Sequence, residues 1–259
     1  MDASLRKNLE SYEAYLVERN HSMGCLVAIR RPFVLFINDE LTVSSYNYAD
    51  VVPWSKTPRR ERIEEVLAHY RARGHSPHFN FTLETAPEGL VKALQSAGCA
   101  LRTHKYVMFQ LEPGNPPVPA DVRVGQTGPE DMPAARRILS VSFGSGGSVW
   151  QEPTLRARLV ARMRAAGMRQ LGVWVDGQLA AAVHLHSAVG VGYITGMATA
   201  PEFRGRGLAG LLTAFAACLA RDEGAALVAL EVATPDAERV YRRIGFGRAA
   251  ERVEYISPS

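Results

Sequence analysis

The sequence predicts an α+β protein with mixed sheet, built in two halves. Three observations carry this. Short apolar runs of strand character alternate with segments of helical period along the whole chain. A proline-dense stretch, Glu112-Pro-Gly-Asn-Pro-Pro-Val-Pro119, interrupts that alternation, and its extended, semi-rigid character marks a boundary. The order of elements before it is loosely repeated after it, so an internal duplication is expected. The 259 residues can hold one large domain or two of ordinary size, and a hydrophobic content of 47% allows a substantial core.

In the first half, residues 1–112, Leu5, Leu9, Tyr12 and Leu16 place a helix over Ser4 to Arg19. Cys25-Leu-Val-Ala-Ile29 and Phe33-Val-Leu-Phe-Ile37 read as a buried hairpin, and Glu40 to Trp54 continues the sheet. Thr57-Pro58 starts a helix with Ile63, Val66, Leu67 and Tyr70 on one face, which Gly74 ends. Phe79 to Leu83 is a strand, Pro87 to Ala97 a short helix stopped by Gly98, and Arg102 to Gln110 a last strand.

After a linker at 113–120, the second half, 121–259, opens with a strand at Val122 to Val124 and a helix from about Gly128 to Val141. The loop Gly144-Ser-Gly-Gly-Ser148 precedes a helix from Glu152 to Ala166 with a basic outer face. Strands Gln170 to Val175 and Gln178 to His186 meet at Asp176-Gly177, a strong two-residue hairpin signal. Val191 to Thr199 is a strand, as are Ala226 to Val232 and Arg252 to Ile256, the last closing the second sheet. The helix after Gly207 shows an apolar stripe of Leu208, Leu211, Leu212, Phe215 and Leu219, with small residues on its other faces.

The chemistry gathers at Met197-Ala-Thr-Ala-Pro-Glu-Phe-Arg204-Gly205-Arg206-Gly207-Leu208-Ala209-Gly210, where a strand passes through a glycine-rich turn into a long helix. Two glycines two residues apart let successive N–H groups converge on one anion, and a helix opening there adds its unpaired amides and positive dipole end. Arg204 and Arg206 add formal charge, which suits a pyrophosphate. A tight turn with two surface arginines is the plainer alternative. Gly205-x-Gly207-x-x-Gly210 also fits the dinucleotide fingerprint, with Glu231 near the distance of a ribose contact. Against that, Ala200 to Arg204 separates strand from turn, and few residues follow for further strand–helix units.

Arg204-x-x-Gly207-x-Ala209 resembles the acetyl-CoA-binding motif of the GNAT superfamily of N-acetyltransferases. Leu230-Glu-Val-Ala-Thr234-Pro-Asp-Ala237-Glu-Arg-Val-Tyr241-Arg-Arg-Ile-Gly245-Phe246 is similar to that superfamily's closing half, in which a helix carrying a tyrosine ends in Gly-Phe. The resemblance covers roughly residues 121 to 256 and departs at Thr234, where many members carry asparagine. It implies two GNAT-like domains, each a mixed, mostly antiparallel sheet flanked by helices. The first would be degenerate, because Ser55-Lys-Thr-Pro-Arg59 offers no glycine turn and Leu94 stands where the tyrosine would be. An unrelated small α+β domain remains the alternative for that half.

The resemblance also implies the ligand and the roles of residues. Acetyl-CoA would lie along Met197, Ala198 and Thr199 as a pseudo-strand, with its diphosphate at Arg204, Gly205, Arg206, Gly207, Leu208 and Ala209, and with Thr234 and Tyr241 completing the site. Tyr241 would protonate the leaving thiolate, while Glu231, His184 or a water chain would take the amine's proton. Phe143, Trp150, Gln151 and His184 would lie by the acceptor. The expected activity is direct acetyl transfer to a primary amine of a small molecule, and the other reading is an acetyl-CoA-binding sensor without turnover. A homodimer is compatible with either.

Composition excludes other classes. The net charge of +4 is not gathered into a basic run, so no nucleic-acid partner is expected. Cys25, Cys99 and Cys218 are far apart and form no Cys-x-x-Cys pair, as suits buried thiols in a reducing compartment. No apolar run is long enough to cross a bilayer and no export leader opens the chain, which points to a cytoplasmic protein without a membrane partner. His184 and His186 share a strand face without a nearby carboxylate or thiol, so a structural or cleft-lining role is expected and no metal.

Overall fold

The computed structural model describes residues 1–114, 116–143 and 152–257. The chain forms two compact units, Met1–Val107 with Ala249–Ser259, and Met108–Arg248.

In the first unit, α1 (Ala3–Ser22) is opened by Asp2, whose carboxylate accepts the Leu5 N–H at 2.7 Å. β1 (Leu26–Arg30) and β2 (Phe33–Ile37) form an antiparallel hairpin, but only β2 is buried as expected; β1 ends the strand order and leaves Leu26 and Ile29 exposed. β3 (Tyr48–Val51) is shorter than the expected stretch from Glu40, because side-chain bonds hold the preceding loop in place of a ladder. Asn47 accepts the Asn38 N–H at 2.8 Å and donates to Leu41 O at 2.7 Å. α2 (Arg60–Arg71) buries Ile63, Val66, Leu67 and Tyr70 as its spacing predicts. It begins after Pro58, since the Thr57 hydroxyl donates to Glu88 O and Arg59 takes the N-cap position. β4 (His78–Thr82), α3 (Leu90–Ser96) and β5 (Ala100–Gln110) follow.

The second unit runs through β6 (Val122–Gln126), α4 (Met132–Phe143), α5 (Pro153–Ala165), β7 (Arg169–Val175), β8 (Gln178–Ala188) and β9 (Val191–Thr199). Then come α6 (Leu208–Asp222), β10 (Leu227–Val232) and α7 (Pro235–Arg243). Positive φ at both Asp176 (47°) and Gly177 (78°) gives the tight β7–β8 turn that the sequence signals. The sheet order is β6-β7-β8-β9-β10, antiparallel up to β9, with β10 parallel to β9. α6 departs from its expected stripe: Ala214, Ala216, Ala217 and Ala220 are buried while Phe215 and Leu219 are only half-buried. Small side chains let the helix axis approach the sheet, so the alanine faces are the packed ones.

The two units share a plan. β3–α2–β4 in the first and β9–α6–β10 in the second are each a parallel pair joined by a crossover helix, and each continues through a short helix into a further strand.

The last strand alters the expected 1–112, 113–120 and 121–259 division. β11 (Phe246–Ile256) places Arg252–Ile256 antiparallel to β4 in the first unit, rather than closing the second sheet. A period-two pattern identifies a strand but not its partner. Across the β4–β11 pairing His78 Nδ1 lies 2.8 Å from Glu254 Oε1, while on β5 His104 Nε2 lies 2.7 Å from Glu251 Oε2.

Arg252 is buried in the first unit. Its Nη2 donates to Asp50 Oδ2 at 2.5 Å on β3 and to Asn80 O at 3.0 Å on β4, and its Nη1 donates to Thr82 Oγ1 at 3.1 Å. Glu13 Oε2 stands 3.8 Å from Nη1, and the Thr85 hydroxyl donates to Glu13 Oε1 at 3.3 Å. Burial and then the Asp50 charge push the Glu13 carboxyl up to about 7. Burial works against the Arg252 charge, yet Asp50, Tyr12 and Glu13 hold its pKa well above the ordinary value.

Removing this cation takes the guanidinium counter-charge from the buried Asp50, so Arg252→Leu should cost about 3–5 kcal/mol in denaturant unfolding of the intact chain. A loss below about 1 kcal/mol would show that water already screens the cluster. Because the folded state raises the Glu13 pKa from 4.5 to about 7, it favours the protonated acid. That contribution is full below the unfolded value and is lost as pH rises through about 7. Glu13→Gln should therefore gain stability relative to the parent chain between pH 5 and pH 8, and parallel stability curves would refute the assignment.

Candidate active site

β9 and β10 begin as neighbours and then part. Their parallel register runs from Val191 opposite Leu227 to Ile194 opposite Leu230, and no pairing follows although β9 continues to Thr199 and β10 to Val232. A bulge lies where they separate. Ala182 pairs with Ala198 and His184 with Thr195, so Gly196 and Met197 together oppose Val183. Gly196 has φ +65°, and an added Cβ would stand 3.0 Å from His184 Nδ1, so both backbone and space call for glycine.

Beyond the bulge, the Ala200 N–H donates to Ala180 O at 2.9 Å. Strand alternation then turns the main-chain groups of Ala198 and Ala200 toward β8, and those of Met197 and Thr199 toward the side β10 has left. Arg204 Nε donates to Thr199 O at 3.3 Å, closing the turn back on the strand.

The turn itself is a cluster of unused donors. Gly205 and Gly207 have φ of +78° and +76°, and Gly207 is the N-cap of α6 with no side-chain bond to the helix. Leu211 N–H is the first donor to reach back, to Gly207 O at 3.1 Å. Among the described residues, the N–H groups of Gly205, Arg206, Gly207, Leu208, Ala209 and Gly210 have no acceptor. They stand at the positive end of a 15-residue helix. Arg206 is held beside them by Asp121, Nη2 to Oδ2 at 3.1 Å, and lies 6.0 Å from the Phe203 ring centroid. A linear diphosphate meets the requirements of this cradle in charge and in hydrogen-bond donors.

Tyr241 sits on α7 against Phe246, ring centroids 6.3 Å apart. Burial pushes its hydroxyl up to about 12, so it is a protonated donor at neutral pH.

Comparison with known proteins agrees with this geometry. Residues 132–246 match the model of the acetyltransferase (GNAT) family. Among solved structures, a GCN5-related N-acetyltransferase from Kribbella flavida is similar over 100% of this chain and 97% of its own, with TM-score 0.77 and 23% identity. A GCN5-related N-acetyltransferase from Sphaerobacter thermophilus gives TM-score 0.61 at 17% identity, covering 87% of this chain and 76% of its own. A tandem GNAT protein from the clavulanic acid biosynthesis pathway gives TM-score 0.59 at 17% identity, covering 88% and 79%. These three establish a shared fold, that of a two-domain GNAT protein. No curated protein matches the chain in sequence.

Within the matched segment the sequence-selected residues fall into three groups. Met197, Thr199 and Arg204 through Ala209 line one continuous track, with Ala198 turned into the apolar cluster of Ile138, Leu139 and Ala200. Glu231 lies on β10 just past its last pairing with β9. Thr234 is occupied otherwise: its hydroxyl oxygen accepts the Ala237 N–H at 3.4 Å and caps α7. Phe143 ends α4 with its ring exposed, and Trp150, Gln151 and the loop 144–148 lie outside the described residues.

His184 is buried behind the bulge. Burial pulls its pKa down to about 4, so the ring is neutral at physiological pH. Gln170 Nε2 lies 3.1 Å from His184 Nε2; the amide donates to that nitrogen when the ring proton is on Nδ1. His186 is spent elsewhere, with Nε2 2.9 Å from Ala166 O. Among the described residues no group of three His, Cys, Asp or Glu side chains is placed to hold a metal, and no helix is long and apolar enough to cross a membrane.

Several residues here were not selected from sequence. Gly196 is a glycine inside a strand, a signal that reads as a bulge. Asp121 and Gln170 carry no local pattern, since each acts through a partner distant in sequence. His184 and Gln170 also border a cleft of about 540 Å³ walled by α4 and α5, with Met132, Leu139 and Val160 among its apolar lining.

Proposed function

We propose that the second unit binds acetyl-CoA and transfers its acetyl group to the amine of a small molecule. The observation that carries this is the parting of β9 and β10 above six amides without acceptors, a track of main-chain donors running from Met197 to Gly210. The residues fit the ligand: Met197 and Thr199 present an unpaired strand edge to an amide-bearing arm, and the Gly205–Gly210 amides receive the diphosphate.

Bound acetyl-CoA supplies a thioester whose carbonyl carbon accepts the amine nitrogen, a C–N bond forming as the C–S bond breaks. The chain's contribution is placement and charge. Holding both reactants side by side removes most of the entropic barrier. The Met197 N–H, on the open side of β9, is placed to donate to the carbonyl oxygen as negative charge develops there. The Tyr241 hydroxyl gives its proton to the departing sulfur. The proton released by the amine passes to Glu231 on the open end of β10, or to His184 or water.

Val at Gly207 must adopt φ near +76°, a conformation that costs an L-residue about 1–2 kcal/mol. Gly207→Val should weaken CoA binding in calorimetric titration by roughly tenfold; unchanged affinity would place the ligand elsewhere. Tyr241→Phe should lower kcat for CoA-thiol release by about 10²–10⁴ while CoA affinity holds, the range expected for loss of a general acid. A variant with parental kcat removes Tyr241 from the chemistry, and a parent chain that binds CoA but releases no thiol with any amine is a binding protein.

A further inference from the structure

The cleft walled by α4 and α5 has a composition that the acetyl-transfer reading leaves unused. Arg136, Arg156, Arg164 and Arg169 line it, and among the described residues no aspartate or glutamate does. Arg169 is committed to a bidentate pair with Glu223. Arg136 on α4 and Arg164 on α5 make no ion pair with any described residue. One helix face of α5 presents Ala157, Val160 and Ala161 to the cleft between Arg156 and Arg164, so an apolar band separates two cationic positions.

The inner end of the cleft differs from its rim. There the polar groups are His184 and Gln170, hydrogen-bonded to each other. The ring is neutral at physiological pH, so this end carries no charge to repel an approaching amine. It also abuts the bulge in β9: the side chains closest to the Gly196 Cβ position are His184, at 3.0 Å, and Leu139, at 4.0 Å, and both line the cleft. The cleft therefore ends one residue from Met197, whose amide faces the proposed reaction centre.

We infer that this cleft is the acceptor site and that it selects amines carrying an anionic group, a carboxylate or a phosphate, on an apolar body. The inference rests on the acetyl-transfer reading and names its substrate class. The anion meets Arg136 and Arg164 and the body lies against Met132, Leu139 and Val160. The amine reaches past His184 to the bulge, where it forms the C–N bond and gives up its proton as thiolate leaves with the proton of Tyr241. A volume near 540 Å³ accommodates a ligand of amino-acid to dipeptide size.

The test compares L-phenylalanine, phenethylamine and an aminoalkyl phosphate of similar length as acceptors, reading CoA-thiol release from the full chain with acetyl-CoA. At least one anionic amine should show a kcat/KM tenfold or more above that of phenethylamine, and the better of the two identifies the anion. In the double variant R136A/R164A the KM of that amine should rise by a factor at least ten times larger than any change for phenethylamine, with R136K/R164K recovering part of the loss. Preference for the neutral amine, or equal effects of the variant on both classes, overturns the inference. Should no amine release thiol, the acetyl-transfer reading fails on its own terms. Titration of N-acetylphenylalanine into the parent chain and the double variant then decides the cleft: binding lost in the variant supports it, and equal binding or none refutes it.

Discussion

Strands that stop pairing leave main-chain donors and acceptors that need partners, and the second unit is arranged around one such place. After Ile194 and Leu230 the β9–β10 ladder ends, while both strands continue. The bulge at Gly196 and Met197 turns β9 at that point, and the glycine turn then sends the chain into α6 without a side-chain cap. An unsatisfied amide is tolerable facing water and costly when buried. The exposed turn from Arg204 to Gly207 therefore holds its donors in solvent. Glu231 lies on β10 just past that last pairing, and the inner end of the α4–α5 cleft abuts the bulge.

The first unit repeats the strand–helix–strand plan and treats the same place differently. β3 and β4 touch at a single register pair, Ala49 opposite Phe79. Beyond β3 the turn spends its amides internally: Trp54 donates to Thr85 O at 2.8 Å and Ser55 to Val52 O at 3.3 Å. The Arg252 guanidinium spans the two strands, bonding Asp50 on one and Asn80 and Thr82 on the other. A cation fixed between these strands satisfies groups that the second unit leaves open. One copy of the plan is thus sealed by its own side chains while the other keeps its donors available.

Much of this was legible in the sequence because it depends on local chemistry. The glycine spacing at 205 and 207, the Asp176-Gly177 turn, the face of α2 and the length of β9 follow from residues near each other in the chain. The helix α6 was legible in extent but not in orientation, since alanine reads as a small filler until the sheet it packs against is known. Pairings between distant residues were not legible: Arg206 with Asp121, Gln170 with His184, and Arg252 with Asp50 each join segments whose proximity only the fold creates. Thr234 shows the converse, a residue whose position suggests ligand contact but whose hydroxyl is engaged at the start of α7.

The placement of β11 bears on the order in which the protein matures. Residues 249–256 belong to the same compact unit as the first 107 residues, with Arg252–Ile256 paired to β4, and the entire second unit is translated between them. Domains commonly fold in the sequence in which they leave the ribosome. Here the earlier unit lacks both the strand that pairs with β4 and the cation that neutralises Asp50 until translation has passed residue 252, so the later unit, whose residues are contiguous, can finish first.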